Sequence, residues 1–331
     1  MSVIYLLSKE ASVRKVGGRL RVERGCEVLQ SVPIHDVTCL VASRCAHVSM
    51  PVIFDLMDVH AGIFFVDGRG RIVGQVEGKA LSWERSQRQA RMFADAEMQA
   101  ELIRQILREK MTEEMKILKL YARKRSNETL AKLAREIQNY RAHLARESEP
   151  NVLRGLEGMA ARMYFDGFPE ILDEKLWPWH GRNRRPPRDP VNALLSYGYA
   201  FLEREVRLAV IGAGLDGRIG FLHANNGRKD SLIFDLMELF RQPLIDRLVL
   251  KLLNRGQFRP EAFEVSDELG CRLTLAGRRE WIADYETFMC RPYQEYGGRT
   301  PRVWLQQRVQ VFAGELARQA QPEAEGDACD I

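Results

Sequence analysis

Long apolar runs are missing from this chain of 331 residues. No stretch approaches the roughly eighteen apolar residues that a membrane-spanning helix requires, so a helical membrane protein is excluded. Cysteine is sparse: Cys26, Cys39, Cys45, Cys271, Cys290 and Cys329 include no CxxC pair, which argues against a thiolate zinc site. The opening VIYLL is too short and wrongly flanked for a secretory leader, and a cytoplasmic, reducing environment is expected. A strong net charge is also lacking, since 50 Lys and Arg against 45 Asp and Glu give +5. Residues 320–331 hold four acids (Glu323, Glu325, Asp327, Asp330) and no base, so the rest of the chain carries +9. That surplus is compatible with a polyanionic partner without requiring one. No internal repeat is present.

What is there divides by texture. The chain is longer than the ~250–300 residues at which single cores stop growing, so two domains are expected. Residues 1–79 read as a small β domain, with strands at 3–7, 13–16, 19–23, 37–42, 63–66 and 71–76. Gly17-Gly18 is a hairpin spacer, and Ser49, Pro51 and Gly62 delimit one short helix. From residue 80 to 319 the sequence is rich in Ala, Leu, Glu, Lys and Arg, with apolar residues every three or four positions. This predicts a larger all-α domain, with helices over 81–111, 112–125, 126–146, 148–166, 189–212, 231–241, 243–255, 277–289 and 300–319. The fold class is therefore α+β in two domains, followed by an acidic tail, 320–331, too poor in apolar residues to order itself.

The candidate chemistry lies in the helical part. Asp235 and Glu238, three apart on a helix, share one face and could bind a cation or simply be solvated acids. His223 ends the apolar pair Phe221-Leu222, where the chain turns back toward that helix; such a histidine is either a ligand or a hydrogen-bonded structural residue. Glu157 is flanked by Gly155 and Gly158 inside a helical pattern, each glycine costing ~1 kcal/mol against alanine. They serve either a close approach to Glu157 or a helix crossing. Imidazole with carboxylates suits Mn²⁺ or Mg²⁺ better than a structural zinc, and points to metal-assisted chemistry on phosphate esters.

Bases gather in a strip holding Arg182, Arg184, Arg185 and Arg188 beside Trp177 and Trp179, with Pro186-Pro187 keeping it extended. It fits a DNA backbone, or a loop whose arginines pair with acids of their own domain. Asp189 before Pro190 reads as a helix cap. The run KILKLYARKR, 116–125, is open between a phosphate track and a solvated face.

Three stretches together, RGLEGMAARMYFDGF, RNRRPPRDPVNALLSYGYAFL and GFLHANNGRKDSLIFDLMELFRQPLIDRLVLKLLNRG, in this order and spacing, closely resemble the CRISPR-associated endonuclease that serves as the integrase of spacer acquisition. The resemblance is densest over 150–256. It implies an N-terminal β domain that mediates homodimerisation and a C-terminal helical catalytic domain. It implies metal ligation by Glu157, His223 and Glu238, with Asp235 as a further acid close to the site. It implies attack of a DNA 3′-hydroxyl on a phosphodiester at the border of a CRISPR repeat in double-stranded DNA. The implied partners are a dimer of a small ferredoxin-like CRISPR-associated protein and, in several subtypes, a RecB-like nuclease. The competing expectations are a stand-alone nuclease on branched DNA and a DNA-binding scaffold without catalysis.

Overall fold

The structure is a computed structural model and describes residues 2–59, 61–68, 70–76, 83–184, 186–223 and 230–319. The chain forms two compact units, Met1–Leu81 and Ser82–Ile331. Arg185 and the acidic tail 320–331 lie outside the described residues, so the disorder expected of that tail has no counterpart here.

The first unit contains β1 (Ser2–Leu6), β2 (Ala11–Val16), β3 (Arg19–Arg24), β4 (Glu27–Pro33), β5 (Val37–Ser43), β6 (His47–Val48), the helix α1 (Met50–Asp58), β7 (Gly62–Val66) and β8 (Ile72–Val76). One sheet has the order β1-β5-β7-β8, with β1, β5 and β7 parallel and β8 antiparallel; the other has the order β4-β3-β2-β6. Their apolar faces share one core that includes Ile4, Leu6, Val13, Leu20, Leu40, Leu56 and Ile63. The strand β4, absent from the sequence expectation, is an edge strand whose first five residues are all exposed. It therefore carries no inside-outside alternation to read.

The second unit begins with α2 (Trp83–Ala94) and α3 (Ala96–Arg125), where sequence periodicity predicts breaks at residues 111 and 112. The real break is at Asp95, whose carboxylate accepts the N–H groups of Glu97 and Met98, each at 3.0 Å. Thr112 caps nothing: its hydroxyl donates back to the Arg108 carbonyl at 2.7 Å and the helix continues. There follow α4 (Glu128–His143), α5 (Pro150–Asp166), the short α6 (Phe168–Ile171), α7 (Pro190–Gly212), α8 (Ser231–Met237), α9 (Arg247–Asn254), the hairpin β9 (Phe263–Ser266) and β10 (Gly270–Leu273), α10 (Leu275–Cys290) and α11 (Pro301–Gln319). The hairpin is an addition to a domain expected to be all helix. Asp189 caps α7 as expected, accepting the Asn192 N–H at 2.8 Å.

Helix α7 forms the centre of this unit, with buried residues on most of its length. At Gly198 a Cβ would lie 2.6 Å from Ile245 Cγ2 and 3.0 Å from the Trp281 ring, so only glycine permits this approach. Helices α7, α10 and α11 are also joined by a buried ion cluster. Arg302 donates to Glu205 at 2.9 and 3.0 Å and to Glu286 at 3.0 and 3.1 Å. Burial pushes the Glu205 carboxyl up, but Arg302 more than offsets this and holds it below its usual range. Arg302→Met is therefore expected to destabilise the protein by about 3–5 kcal/mol, because it leaves the buried Glu205 carboxylate with the longer Arg204 pairing at 3.6 Å in place of its close partner. For a unit of this size that is a fall in Tm on the order of 10 °C, measured by calorimetry. No helix among the described residues is long and apolar enough to cross a membrane.

Candidate active site

Helix α8 does not continue to residue 241 as its periodicity predicts. After Met237 the chain tightens, with Glu238, Leu239 and Phe240 each donating to the carbonyl three residues back at 3.0–3.2 Å. It then widens into a π-helical segment, Arg241–Asp246, where Pro243 has no N–H to give. The two acids, Asp235 and Glu238, have different partners.

Asp235 is fully buried and turned toward the segment 221–223. Its Oδ2 accepts the N–H groups of Phe221 at 2.5 Å and Leu222 at 3.0 Å, and its Oδ1 accepts that of His223 at 2.9 Å. The His223 Nδ1 lies 2.7 Å from the same Oδ1. Against a carboxylate, Nδ1 is the protonated nitrogen, and Nε2 keeps its lone pair for a ligand. Among the described residues nothing hydrogen-bonds Nε2, and the His223 side chain is 42% exposed. The segment is tied down from two other helices: Gln99 of α3 donates to the Phe221 carbonyl and Arg154 of α5 to that of Leu222, both at 3.0 Å.

Arg154 stands one turn before Glu157, so α5 carries both the tie to the histidine segment and the third candidate ligand. Added Cβ atoms at Gly155 and Gly158 would meet nothing within 4 Å, and both residues are exposed. Among the described residues no helix crosses at these glycines.

Glu157 and Glu238 come together around Lys110 of α3. Lys110 Nζ contacts Glu157 Oε1 and lies 2.7 Å from Glu238 Oε2, with a side chain only 6% exposed. Glu238 is also paired with Arg241 at 3.2 Å. Burial raises the Glu238 carboxyl, but Arg241 and then Lys110 overcome it and bring it down to about 2. Burial would neutralise Lys110, yet Glu238, Glu157 and Glu114 keep its ammonium charged and its pKa raised. Glu114, one turn along α3, is itself driven up to about 8 by burial, with Lys110 opposing.

Behind Arg241 lies a second buried group. Asp246 accepts the hydroxyls of Tyr199 at 2.6 Å and Tyr164 at 3.0 Å. Burial lifts its carboxyl to about 6 despite those bonds. The Tyr199 ring carries Arg241 at 4.7 Å and Arg182 at 5.5 Å from its centroid.

The arginines of the strip are unequal. Arg182 points inward, donating to the Asn183 carbonyl and to Asn192 Oδ1, both at 2.6 Å, and to Ser196 Oγ at 3.2 Å. Arg184 and Arg188 are exposed. The strip is held at its Pro187 carbonyl, which accepts the Cys271 N–H of β10 at 2.8 Å. Gly270 beside it has φ +69°, and its missing Cβ would fall 2.2 Å from that oxygen. In the run 116–125, Lys116, Lys119, Arg123 and Lys124 are exposed on α3. Arg125 instead donates to the Glu170 carbonyl and to Asn254 Oδ1, both at 2.8 Å.

Two carboxylates and an imidazole fixed by a buried acid are donors that suit Mn²⁺ or Mg²⁺. Glu238 Oε2 is a buried carboxylate oxygen whose near partner among the described residues is the Lys110 ammonium at 2.7 Å. Among the described residues, however, no three His, Cys, Asp or Glu side chains close on one point as a finished metal cage. Lys110 supplies the cation there. The donors fit such an ion in kind, with Lys110 between two of them.

Sequence reasoning missed Lys110, Glu114, Arg241, Tyr164, Tyr199 and Asp246. One signal was available: Lys110 and Glu114 fall on the buried stripe of Ile103, Ile106, Leu107, Met111 and Leu118, where charge is unexpected.

Residues 4–287 match the family model described as CRISPR associated protein Cas1. A CRISPR-associated endonuclease Cas1 of Thermus thermophilus is 34% identical over 283 residues, covering 86% of this chain and 85% of that protein. A CRISPR-associated exonuclease Cas4/endonuclease Cas1 fusion of Leptospira interrogans is 29% identical, covering 86% of this chain, which spans only 54% of the fusion's length. Among solved structures, a Cas1 protein of Thermotoga maritima superposes with a TM-score of 0.82 at 23% identity, covering 96% of this chain and 97% of that one. A casposase bound to integration product gives 0.82 at 20% identity, covering 100% and 96%. The Cas6-RT-Cas1–Cas2 complex gives 0.79 at 23% identity, covering 96% of this chain and 35% of that one. At these identities the superpositions speak for the shared fold alone, and the β unit followed by the helical unit is that fold. With the family model matching 284 of 331 residues, the chain belongs to the CRISPR-associated Cas1 family.

Proposed function

We propose that this protein is a metal-dependent DNA endonuclease and integrase that inserts short DNA fragments as new spacers into a CRISPR array. The observation that carries this reading is the meeting of Glu157 and Glu238 around one positive charge, with His223, held at Nδ1 by Asp235, within electrostatic reach of Glu238. Glu157, Glu238 and His223 would hold Mn²⁺ or Mg²⁺, which when bound supplies Lewis-acid stabilisation of charge on the phosphate. The family's endonuclease relatives and the casposase with its integration product support the reaction class.

The reaction is a transesterification. A fragment's 3′-hydroxyl forms a new O–P bond at the repeat border, the P–O bond to the adjacent 3′ oxygen breaks, and the proton passes by way of solvent to the departing oxygen. No external energy is needed, since one phosphodiester replaces another. The chain's own residues contribute orientation. Exposed Arg184 and Arg188 grip phosphates, and Arg182, locked onto Asn192 and Ser196, stiffens the strip that presents them. The bare α5 surface at Gly155 and Gly158 admits the backbone to Glu157. His223 would offer Nε2 to the ion, its Nδ1 being held by Asp235.

Assembly is part of the proposal. The protein would work as a homodimer, joined through its β unit, around a dimer of a small ferredoxin-like CRISPR-associated protein. The solved complex containing Cas1 and Cas2 supports the small partner, and the exonuclease Cas4/endonuclease Cas1 fusion supports a nuclease partner. The test mixes the protein and its small partner with a short duplex bearing 3′-hydroxyls and a plasmid carrying a repeat array. Half-site joining at the first repeat in Mn²⁺, lost in EDTA and restored by Mn²⁺, is the expected result. Joining that persists in EDTA would refute the metal, and cutting of branched DNA without joining would refute the integrase.

A further inference from the structure

Two carboxylates held close in a buried site repel each other strongly, and the side chain that resolves this here is a lysine from a third helix. Lys110 reaches Glu157 on α5 and Glu238 after α8 with one ammonium. A lysine has a compact charge on a flexible four-carbon stem, so it can leave its partners without moving the helix that carries it. It also has somewhere to go. Glu114 is four residues along α3, on the same helix face and within electrostatic reach of Lys110. Among the described residues the buried Glu114 Oε2 has no hydrogen-bond partner, and its other oxygen has a long contact with Gln242 at 3.4 Å.

We propose that Lys110 is a resident counter-cation, which pairs Glu157 with Glu238 in the metal-free protein and swings to Glu114 when a divalent cation takes its place. The inference rests on the reading of Glu157 and Glu238 as metal ligands, and adds that metal binding is an exchange of cations. The metal-free site stays assembled, with its carboxylates in register. The affinity for metal is set by the difference between two charge arrangements and is lower than the donors alone would give. A cation that gains extra contacts from DNA phosphates displaces the lysine more readily than one arriving alone, so loading is coupled to substrate.

The experiment measures binding of Mn²⁺ alone to the full chain, without DNA, by calorimetry or by loss of the free-Mn²⁺ resonance signal. Lys110→Met is expected to bind Mn²⁺ on the order of tenfold tighter, within the ~5–150-fold range of ordinary coupling. Lys110→Arg keeps the charge and the fold should methionine fail, and is expected to bind on the order of tenfold weaker, because a bidentate guanidinium is harder to displace. Glu114→Gln is expected to weaken Mn²⁺ binding in the native background and to change nothing once Lys110 is methionine. Native or weaker affinity in Lys110→Met overturns the exchange. So does a Glu114→Gln effect that persists in the double variant, since Glu114 would then be a ligand itself. Binding by the native chain with no change in any variant overturns the exchange while leaving the metal reading standing. Failure of every form to bind Mn²⁺ removes the metal reading, and the exchange with it.

Discussion

Glu157→Gln and Glu238→Gln are each expected to lower metal-dependent DNA cleavage and strand transfer by on the order of a thousandfold. Lewis-acid stabilisation of a phosphoryl transition state supplies several kcal/mol, and every ~1.4 kcal/mol lost is tenfold in rate. A neutral amide keeps the size of each side chain and removes the charge that holds the cation. The two variants differ in what else they disturb. Glu157 is 27% exposed, and among the described contacts its partner Lys110 retains Glu238, so the fold is expected to survive with little change. Glu238 is 7% exposed and is shared by Lys110 and Arg241, so Glu238→Gln leaves two buried cations short of an anion. A stability loss of about 3–5 kcal/mol is expected to accompany its loss of activity. Binding of the DNA duplex, measured separately, is expected to change little in Glu157→Gln, because the grip on phosphate lies with the arginine strip. Activity within tenfold of native in that variant would remove Glu157 from the site.

The sequence made the division into a β unit and a helical unit legible because each has its own period. The alternation of β2 and the three-and-four spacing of α3 both follow from one buried face, and β5 reads as a continuous apolar run because it is buried on both. Where no face is buried, the signal vanishes, as at the exposed edge strand β4 and at β9. Helix ends were legible where a cap is written in the residue type, as at Asp189. One was misread between residues 111 and 112, where α3 runs on unbroken and the Thr112 hydroxyl donates to the Arg108 carbonyl.

Within the site, the residues named from sequence were those whose types are rare in their surroundings: a histidine after an apolar pair and a glutamate between glycines. Lys110 and Glu114 were hidden for the opposite reason. Lysine and glutamate are the commonest residues on a helix surface, and only their place on the buried stripe of α3 sets them apart. Asp246 and Arg241 lie in the π-helical segment, which the sequence pattern reads as the end of one regular helix and the start of the next. Arg182 shows the converse limit: composition groups it with Arg184 and Arg188, but its hydrogen bonds to Asn192 and Ser196 make it part of the scaffold.

Asp235→Asn is expected to be nearly as damaging as Asp235→Ala, which separates this acid's role from that of Glu238 despite their spacing of three. Each Asp235 oxygen accepts two donors: Oδ2 those of Phe221 and Leu222, and Oδ1 the backbone N–H and ring Nδ1 of His223. An asparagine has one oxygen, so whichever way its amide is turned, an NH₂ faces two N–H donors in a fully buried place. Each stranded donor costs about 1–3 kcal/mol. The segment 221–223 then loses one of the two oxygens it closes on, and where the NH₂ is turned to His223 the ring loses both its tautomer and its aim. Loss of such an orienting carboxylate typically lowers metal affinity or activity by about 10–100-fold. Both are expected to fall together here, with Mn²⁺ affinity measured on the DNA-free protein and strand transfer measured in saturating Mn²⁺. If strand transfer recovers fully at saturating Mn²⁺, Asp235 acts only by positioning His223 for the ion. If it stays low, the displaced segment also fails to seat DNA. An asparagine variant with native affinity and native strand transfer would show that His223 needs no anchor, and the carboxylate–imidazole pair would lose its part in the site.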